Sequence, residues 1–164
     1  MEVDLRGTMR NFATGVCIAT TYADDNSGRR HDALTVNSLT SVSLGPPLVS
    51  ISLRQGSTFL ADLLTTKVWA LSILDAGTHD LARVFAQSRD VRAEAVRTLS
   101  ARPGEHTGAL IVDAPAWLEC ELRDQFDAGD HTVLIGSVVA AGQQHRRPPI
   151  VFLHGRFHAL KGEL

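Results

Sequence analysis

The chain is poor in cysteine, aromatic residues and lysine. Of its 164 residues two are cysteine, one is tyrosine and two are tryptophan, and aromatic residues make up 5%. Cys17 and Cys120 lie far apart in apolar contexts, and neither belongs to a Cys-x-x-Cys. They read as buried small hydrophobes in a reducing compartment, not as a disulfide framework or a thiolate metal site. No apolar run approaches the ~20 residues that a membrane-spanning helix needs. The N-terminal stretch MEVDLRGTMRNFATGV is charged and lacks the apolar centre of a secretory leader. These features predict a cytoplasmic protein without a membrane partner. The net charge of -2 gives no electrostatic reason to expect nucleic acid. Nearly all basic residues are arginine, scattered rather than clustered, which reads as a compositional bias.

Catalytic signatures are also missing. There is no G-x-G-x-x-G after a strand, no G-x-x-x-x-G-K-[ST], no G-x-S-x-G and no H-E-x-x-H. His154 and His158 fall in a strand context, where a spacing of four separates them by ~13 Å. That is too far to share a metal ion. The carboxylates are dispersed, with no pair placed as general acid and base. The sequence therefore predicts neither a catalytic side chain nor a metal site.

What is present is a globular composition, 44% apolar and 21% charged, and a length that fits one domain over residues 1–164 with a sizeable core. Leu5, Met9 and Phe12 at helical spacing predict a short amphipathic helix over 4–13. GVCIATTY and the residues after the polar turn ADDNSGRR predict a hairpin. Residues 33–43 and 48–53 read as two strands joined at Gly45-Pro46-Pro47. Ser57 or Thr58 caps a helix carrying Phe59, Leu60, Leu63 and Leu64. VWALSIL is the next strand, and Thr78 caps a helix whose Leu81, Val84 and Phe85 face inward. Residues 87–107 read as a variable or mobile excursion. WLECELRDQF and HTVLIGSVVAAG are long strands around a turn at Ala128-Gly129, and PIVFLHGRFHAL is a final strand interrupted at Gly155. Strands joined mostly by short turns favour antiparallel pairing and a closed or partly closed barrel with short helices.

The chemistry is concentrated in ALTVNSLTSVSLGPPLVSISL, residues 33–53. It has strand propensity, yet its polar members are nearly all small and uncharged. In continuous register Thr35, Asn37, Ser41 and Ser43 share one face, and Ser50 and Ser52 add a second row. This is either an ordinary exposed sheet face or a wall for a flat heterocycle. In the second case the amide and backbone groups match a ring edge of alternating donors and acceptors. SLRQGSTFL follows, placing Arg54, Ser57 and Thr58 where a turn enters a helix. Such a turn is either a simple cap or a phosphate cradle.

The segments FATGVCIATT, ALTVNSLTSVSLGPPLVSISL, STFLADL, LARVFA, DAGDHTVLIGSV and PIVFLHGRFHAL resemble, in content and order, the flavin reductase-like family of small NAD(P)H:flavin oxidoreductases. The resemblance implies a mainly β protein with short helices, an FMN-binding split β-barrel. It implies a homodimer that takes hydride from NADH or NADPH, passes it to FMN or FAD, and releases reduced flavin to a separate flavin-dependent monooxygenase. On this resemblance Thr35, Val36, Asn37 and Ser38 line the isoalloxazine. Ser52, Leu53, Arg54, Gln55, Ser57 and Thr58 hold the ribityl phosphate side, and Phe85, Ala86 and Arg89 touch the remaining phosphate or adenine. His131, in G-D-H, contacts the nicotinamide cofactor, with His154, Gly155, Arg156 and Phe157 as a second contact on that side. Without the resemblance, His131 reads as a hairpin-end histidine satisfied by Asp130 or solvent. Two other readings remain open: a split-barrel protein that holds flavin without turnover, and an oxidase of the pyridoxamine-phosphate type. The latter lacks the basic cluster that its substrate needs.

Overall fold

The structure is a computed structural model and describes residues 2–164. Helix α1 (Leu5–Met9) and the two-residue β1 (Thr14–Gly15) precede a hairpin of β2 (Cys17–Asp25) and β3 (Gly28–Val36). After β4 (Thr40–Leu44) and β5 (Pro47–Arg54) come α2 (Thr58–Thr66) and β6 (Val68–Ile73). A 3-10 turn (Ala76–Thr78) leads into α3 (His79–Val84) and α4 (Arg89–Arg97). Short strands β7 (Ala101–Pro103) and β8 (Leu110–Val112) precede the long hairpin of β9 (Ala116–Ala128) and β10 (His131–Gln143). The hairpin of β11 (Ile150–Leu153) and β12 (Arg156–Ala159) ends the ordered pattern.

Seven strands form one antiparallel sheet in the order β3-β2-β6-β9-β10-β5-β4. The expected mainly β architecture with short helices is present, and the sheet does not close: β3 and β4 are its ends. Residues Cys17 to Thr21 of β2 are buried without alternation, because both faces of that strand are covered. Cys17 and Ala19 face a cluster with Ile51, Phe59, Leu63, Trp69, Leu71 and Leu134, sealed by α2. Val16 and Ile18 face a second cluster with Leu74, Ala82, Phe85, Val112 and Ile150. Gly136 is required beneath Trp69, since a Cβ there would come within 2.5 Å of the indole.

The structure revises several local expectations. Helix α1 stops at Met9, and Leu5, Met9 and Phe12 are 64%, 49% and 64% exposed rather than packed inward. The strand expected over 33–43 breaks at 37–39, and a register shift between Ser41 and Ser43 disturbs β4. Asn37 therefore does not share a continuous strand face with Thr35, Ser41 and Ser43. Ser57 caps α2 by accepting the Leu60 N–H at 3.2 Å, as expected. Thr78 makes no such bond to α3; its hydroxyl donates to the Asp75 carbonyl at 3.0 Å.

Residues 87–107, read from the sequence as a variable or mobile excursion, contain α4 and β7. Arg92 of α4 reaches Asp32 of β3 with two hydrogen bonds, 3.2 and 3.0 Å, both side chains nearly fully buried. Its Nη1 also donates to the Gln87 carbonyl at 3.1 Å. The turn between β9 and β10 is Gly129-Asp130, one residue later than expected, with Gly129 at φ +64°. The final strand is a hairpin, turning at His154 and Gly155 with φ of +52° and +76°. His154 and His158 therefore do not lie along one strand. Among the described residues no helix is long and apolar enough to cross a membrane, and no cluster of metal-ligating side chains occurs.

Candidate functional site

A cleft of about 940 Å³ lies between the N-terminal segment, the β3–β4 connection and the β11–β12 hairpin. That is the upper end of the ~300–1,000 Å³ of small-molecule sites. Asn37, Ser38 and Gly155, all expected as contacts, line it, together with Arg6, Arg10, Phe12, Leu39, Phe152 and Leu153.

The wall beside this cleft is built from the break in the strand. Thr35 is bound to the end of α3, its hydroxyl donating to the Ala82 carbonyl at 2.7 Å and its N–H to the Phe85 carbonyl at 3.0 Å. Val36 is 6% exposed and faces the core, so only its backbone is available to a ligand. Asn37 is exposed and its side-chain amide has no partner among the described residues, which leaves both its donor and acceptor free. Ser38, just before β4, binds Ser52 of the neighbouring β5, accepting from its N–H at 3.0 Å and donating to its carbonyl at 3.2 Å.

On β5, Val49, Ile51 and Leu53 are buried while Ser50, Ser52 and Arg54 share the outward face. Leu53 at 2% exposure belongs to the core and can offer only backbone. Arg54 follows Ser52 by one strand repeat, ~7 Å, and takes part in no ion pair among the described residues. The chain then turns at Gly56, φ +77°, into α2. Thr58 is the first helical residue. Ser57 spends its oxygen on the helix cap.

His131 stands opposite Arg54 in the β5–β10 register. Gln55 ties the two together: its N–H donates to the Asp130 carbonyl at 3.0 Å and its Nε2 to the His131 carbonyl at 3.2 Å. The His131 ring, 44% exposed, holds Asp130 through Nδ1 at 2.7 Å. That bond, with the charge of His131, keeps the Asp130 carboxyl below the usual carboxylate range. The histidine ring is thus oriented by its neighbour, with Nε2 free.

Other expected residues are placed differently. The Phe85 side chain is fully buried in the second core cluster, so its ring does not face a ligand. Ala86 and Arg89 are exposed at the α3–α4 junction, and Arg89 has no ion pair among the described residues. His154 lies in the turn between β11 and β12 of the three-stranded sheet, whereas His131 begins β10 of the large one. Its Nε2 meets Asn11 Oδ1 at 3.1 Å and its N–H donates to the Arg10 carbonyl at 3.0 Å. Arg156 is exposed, and Phe157 packs on Phe152 at 5.5 Å. Cys17 lines the cleft but burial pushes its thiol up to about 12, which leaves it unreactive near neutrality.

Sequence reasoning missed Arg6, Arg10, Met9 and Phe12 as lining residues. The available signal was their helical spacing in a segment too short to be a core helix.

The flavin reductase-like domain model matches residues 9–161. The chain belongs to the flavin reductase-like family. An NADH-dependent FAD reductase of Streptomyces globisporus is 37% identical over 158 residues, 95% of this chain and 84% of the relative. The reductase component of a flavin-dependent trigonelline monooxygenase of Acinetobacter baylyi is 35% identical over 136 residues; these are 82% of this flavin reductase-like chain and 42% of that longer relative. Among solved structures, BorF, the flavin reductase component of a bacterial two-component tryptophan halogenase, superposes with a TM-score of 0.86. It is 33% identical, with 97% of this chain and 98% of BorF covered.

Proposed function

We propose that this protein is an NAD(P)H-dependent flavin reductase of a two-component system, one domain over residues 1–164, working as a cytoplasmic homodimer. The observation that carries the reading is the combination in one cleft of a free amide wall at Asn37 and Ser38 with the hairpin turn at Gly155. The residues fit both cofactors: Asn37 offers an unspent donor and acceptor to a ring edge, Arg54 an unpaired guanidinium to a phosphate, and the volume suits two stacked rings. When bound, the nicotinamide supplies the hydride and the flavin accepts it.

The protein's part is placement. Ser38, locked to Ser52, fixes the wall; Thr35, locked to α3, fixes its other end. Arg54 and the Gly56 turn anchor the phosphate, and His131, whose Nδ1 is held by Asp130, has its Nε2 free to offer the nicotinamide cofactor. No side chain needs to move a proton for hydride transfer, which accords with the dispersed carboxylates. Contacts that are mostly neutral and about 1 kcal/mol each suit a flavin bound as an exchangeable substrate. Released flavin then serves a partner flavin-dependent oxygenase. The relatives' names support this, since they describe reductase components of a monooxygenase and a halogenase.

The test is spectrophotometric. Purified protein is mixed with NADH or NADPH and with FMN or FAD, in all four pairs, and oxidation is followed in the near ultraviolet. Turnover with at least one pair is expected; none with any pair refutes the proposal, and protein that remains yellow through extensive dialysis refutes the exchange.

A further inference from the structure

We infer that Arg6 and Arg10 clamp the diphosphate of the nicotinamide dinucleotide, an inference that rests on the reductase reading above. Both residues line the cleft. They stand four residues apart, so they lie on one face of α1 and its C-cap, where like charges repel unless an anion lies between them. Neither takes part in an ion pair among the described residues, and the carboxylate nearest in sequence, Asp4, is committed to the helix cap through the Gly7 N–H at 2.9 Å. The fold gives no internal reason for two guanidinium groups at the mouth of a cleft otherwise lined by neutral residues such as Phe12, Leu39 and Phe152.

Their position is fixed from below. The His154 N–H donates to the Arg10 carbonyl, and the His154 ring meets the Asn11 side chain, so the hairpin turn and the arginine segment form one unit. Arg54, which serves the flavin phosphate, does not line this cleft. The reaction brings two anionic groups together, and Arg54 answers one of them. Two planar guanidinium forks carried by cleft-lining residues match the other, since a diphosphate accepts paired N–H bonds from each. The ligand class is thus a dinucleotide with its diphosphate at the α1 rim and its nicotinamide toward the Asn37–Ser38 wall.

The experiment compares wild type with the double variant R6A/R10A, using NADH and reduced nicotinamide riboside as donors and FMN and FAD as acceptors. The riboside carries no phosphate. In the variant KM for NADH is expected to rise about tenfold or more, with KM for the riboside and for both flavins unchanged. R6K/R10K recovers part of the loss, because charge is kept and the fork is lost. An unchanged KM for NADH overturns the inference, and so does an equal rise for both donors. A rise confined to FAD overturns it by assigning the clamp to the flavin diphosphate. Should the variant not fold, the wild type still decides: KM for NADH must climb more steeply with ionic strength than KM for the uncharged riboside, and parallel curves overturn the clamp. A wild type inactive with every pair refutes the reductase reading itself, whereas an active wild type matched by the variant refutes only the clamp.

Discussion

Ser38 and Ser52 exchange two hydrogen bonds through one hydroxyl, which takes the Ser52 N–H at 3.0 Å and gives to the Ser52 carbonyl at 3.2 Å. A side chain thus continues the β4–β5 pairing beyond Thr40↔Ser50, where the β4 backbone has not yet entered the ladder. Ser38→Ala leaves both backbone groups of Ser52 without that partner. The expected cost is about 1–3 kcal/mol, read by urea denaturation, with weaker flavin binding by fluorescence quenching. A variant as stable as wild type and unchanged in affinity would show the hydroxyl to be idle.

Arg54→Ala should raise KM for flavin and spare KM for the nicotinamide donor. A charge-assisted bond to phosphate sets the loss at roughly 1.5–3 kcal/mol. Steady-state kinetics with each substrate varied in turn checks this, and equal effects on both would move Arg54 away from the flavin.

His131→Ala should lower kcat/KM for NADH about tenfold to a hundredfold, or roughly 1.4–2.7 kcal/mol, while flavin affinity holds. His131→Asn, which retains a donor, should recover part of the loss. Asp130→Asn tests the orientation separately: the ring keeps its place only loosely, so a smaller effect than His131→Ala is expected. Normal turnover in His131→Ala would remove the residue from the site.

The buried pair of Arg92 and Asp32 predicts a stability effect without a primary kinetic one. Arg92→Ala strands a carboxylate that is 4% exposed, at about 3–5 kcal/mol. The double variant Asp32→Leu/Arg92→Met should be much closer to wild type. Chemical denaturation of the three proteins measures the difference, and additive losses would argue against coupling.

His31 gives the pH dependence a sign. Burial first, then the charge of Arg29, lowers its pKa below the ordinary histidine value, with Asp24 opposing. The unfolded chain therefore binds the proton more readily. His31 costs no stability above about pH 6.5 and progressively more as pH falls from there through its folded pKa. His31→Phe, which keeps the edge contact on Tyr22 at 5.8 Å, should lose less stability than wild type between neutral and mildly acidic pH. Parallel pH curves for the two proteins would contradict this.

The sequence made the strands of the sheet legible where alternation or a long apolar run marked them, as in β5 and the β9–β10 hairpin. It also made the Ser57 cap legible, because a hydroxyl before an apolar helical run has one local use. The break at 37–39 was hidden by the β-branched and apolar residues on either side of it, and it coincides with the Ser38 hydroxyl bonding the Ser52 backbone. Likewise α4 was hidden by its charge. Arg92 acquires a partner only because the fold brings Asp32 to it over 60 residues of separation. The inward face of Phe85 was legible from its helical spacing with Leu81, but its ring is spent in the second core and so does not touch a ligand.

The order of strands in the large sheet also governs when the site can exist. β5 carries Ser52 and Arg54, yet its ladder to the rest of the sheet runs through β10, with Ser52 paired to Val133. β1, at the mouth of the cleft, pairs with β11, Thr14 against Phe152. Pairings between such distant segments form slowly, because loop closure precedes any gain from contact. On the ribosome the wall residues emerge early, but their supports are among the last to be made. The N-terminal third therefore leaves the tunnel with an unpaired β5 edge and a helix α1 that has nothing to pack on. A chaperone that binds apolar, extended chain is expected to occupy it until synthesis reaches the C-terminal hairpin.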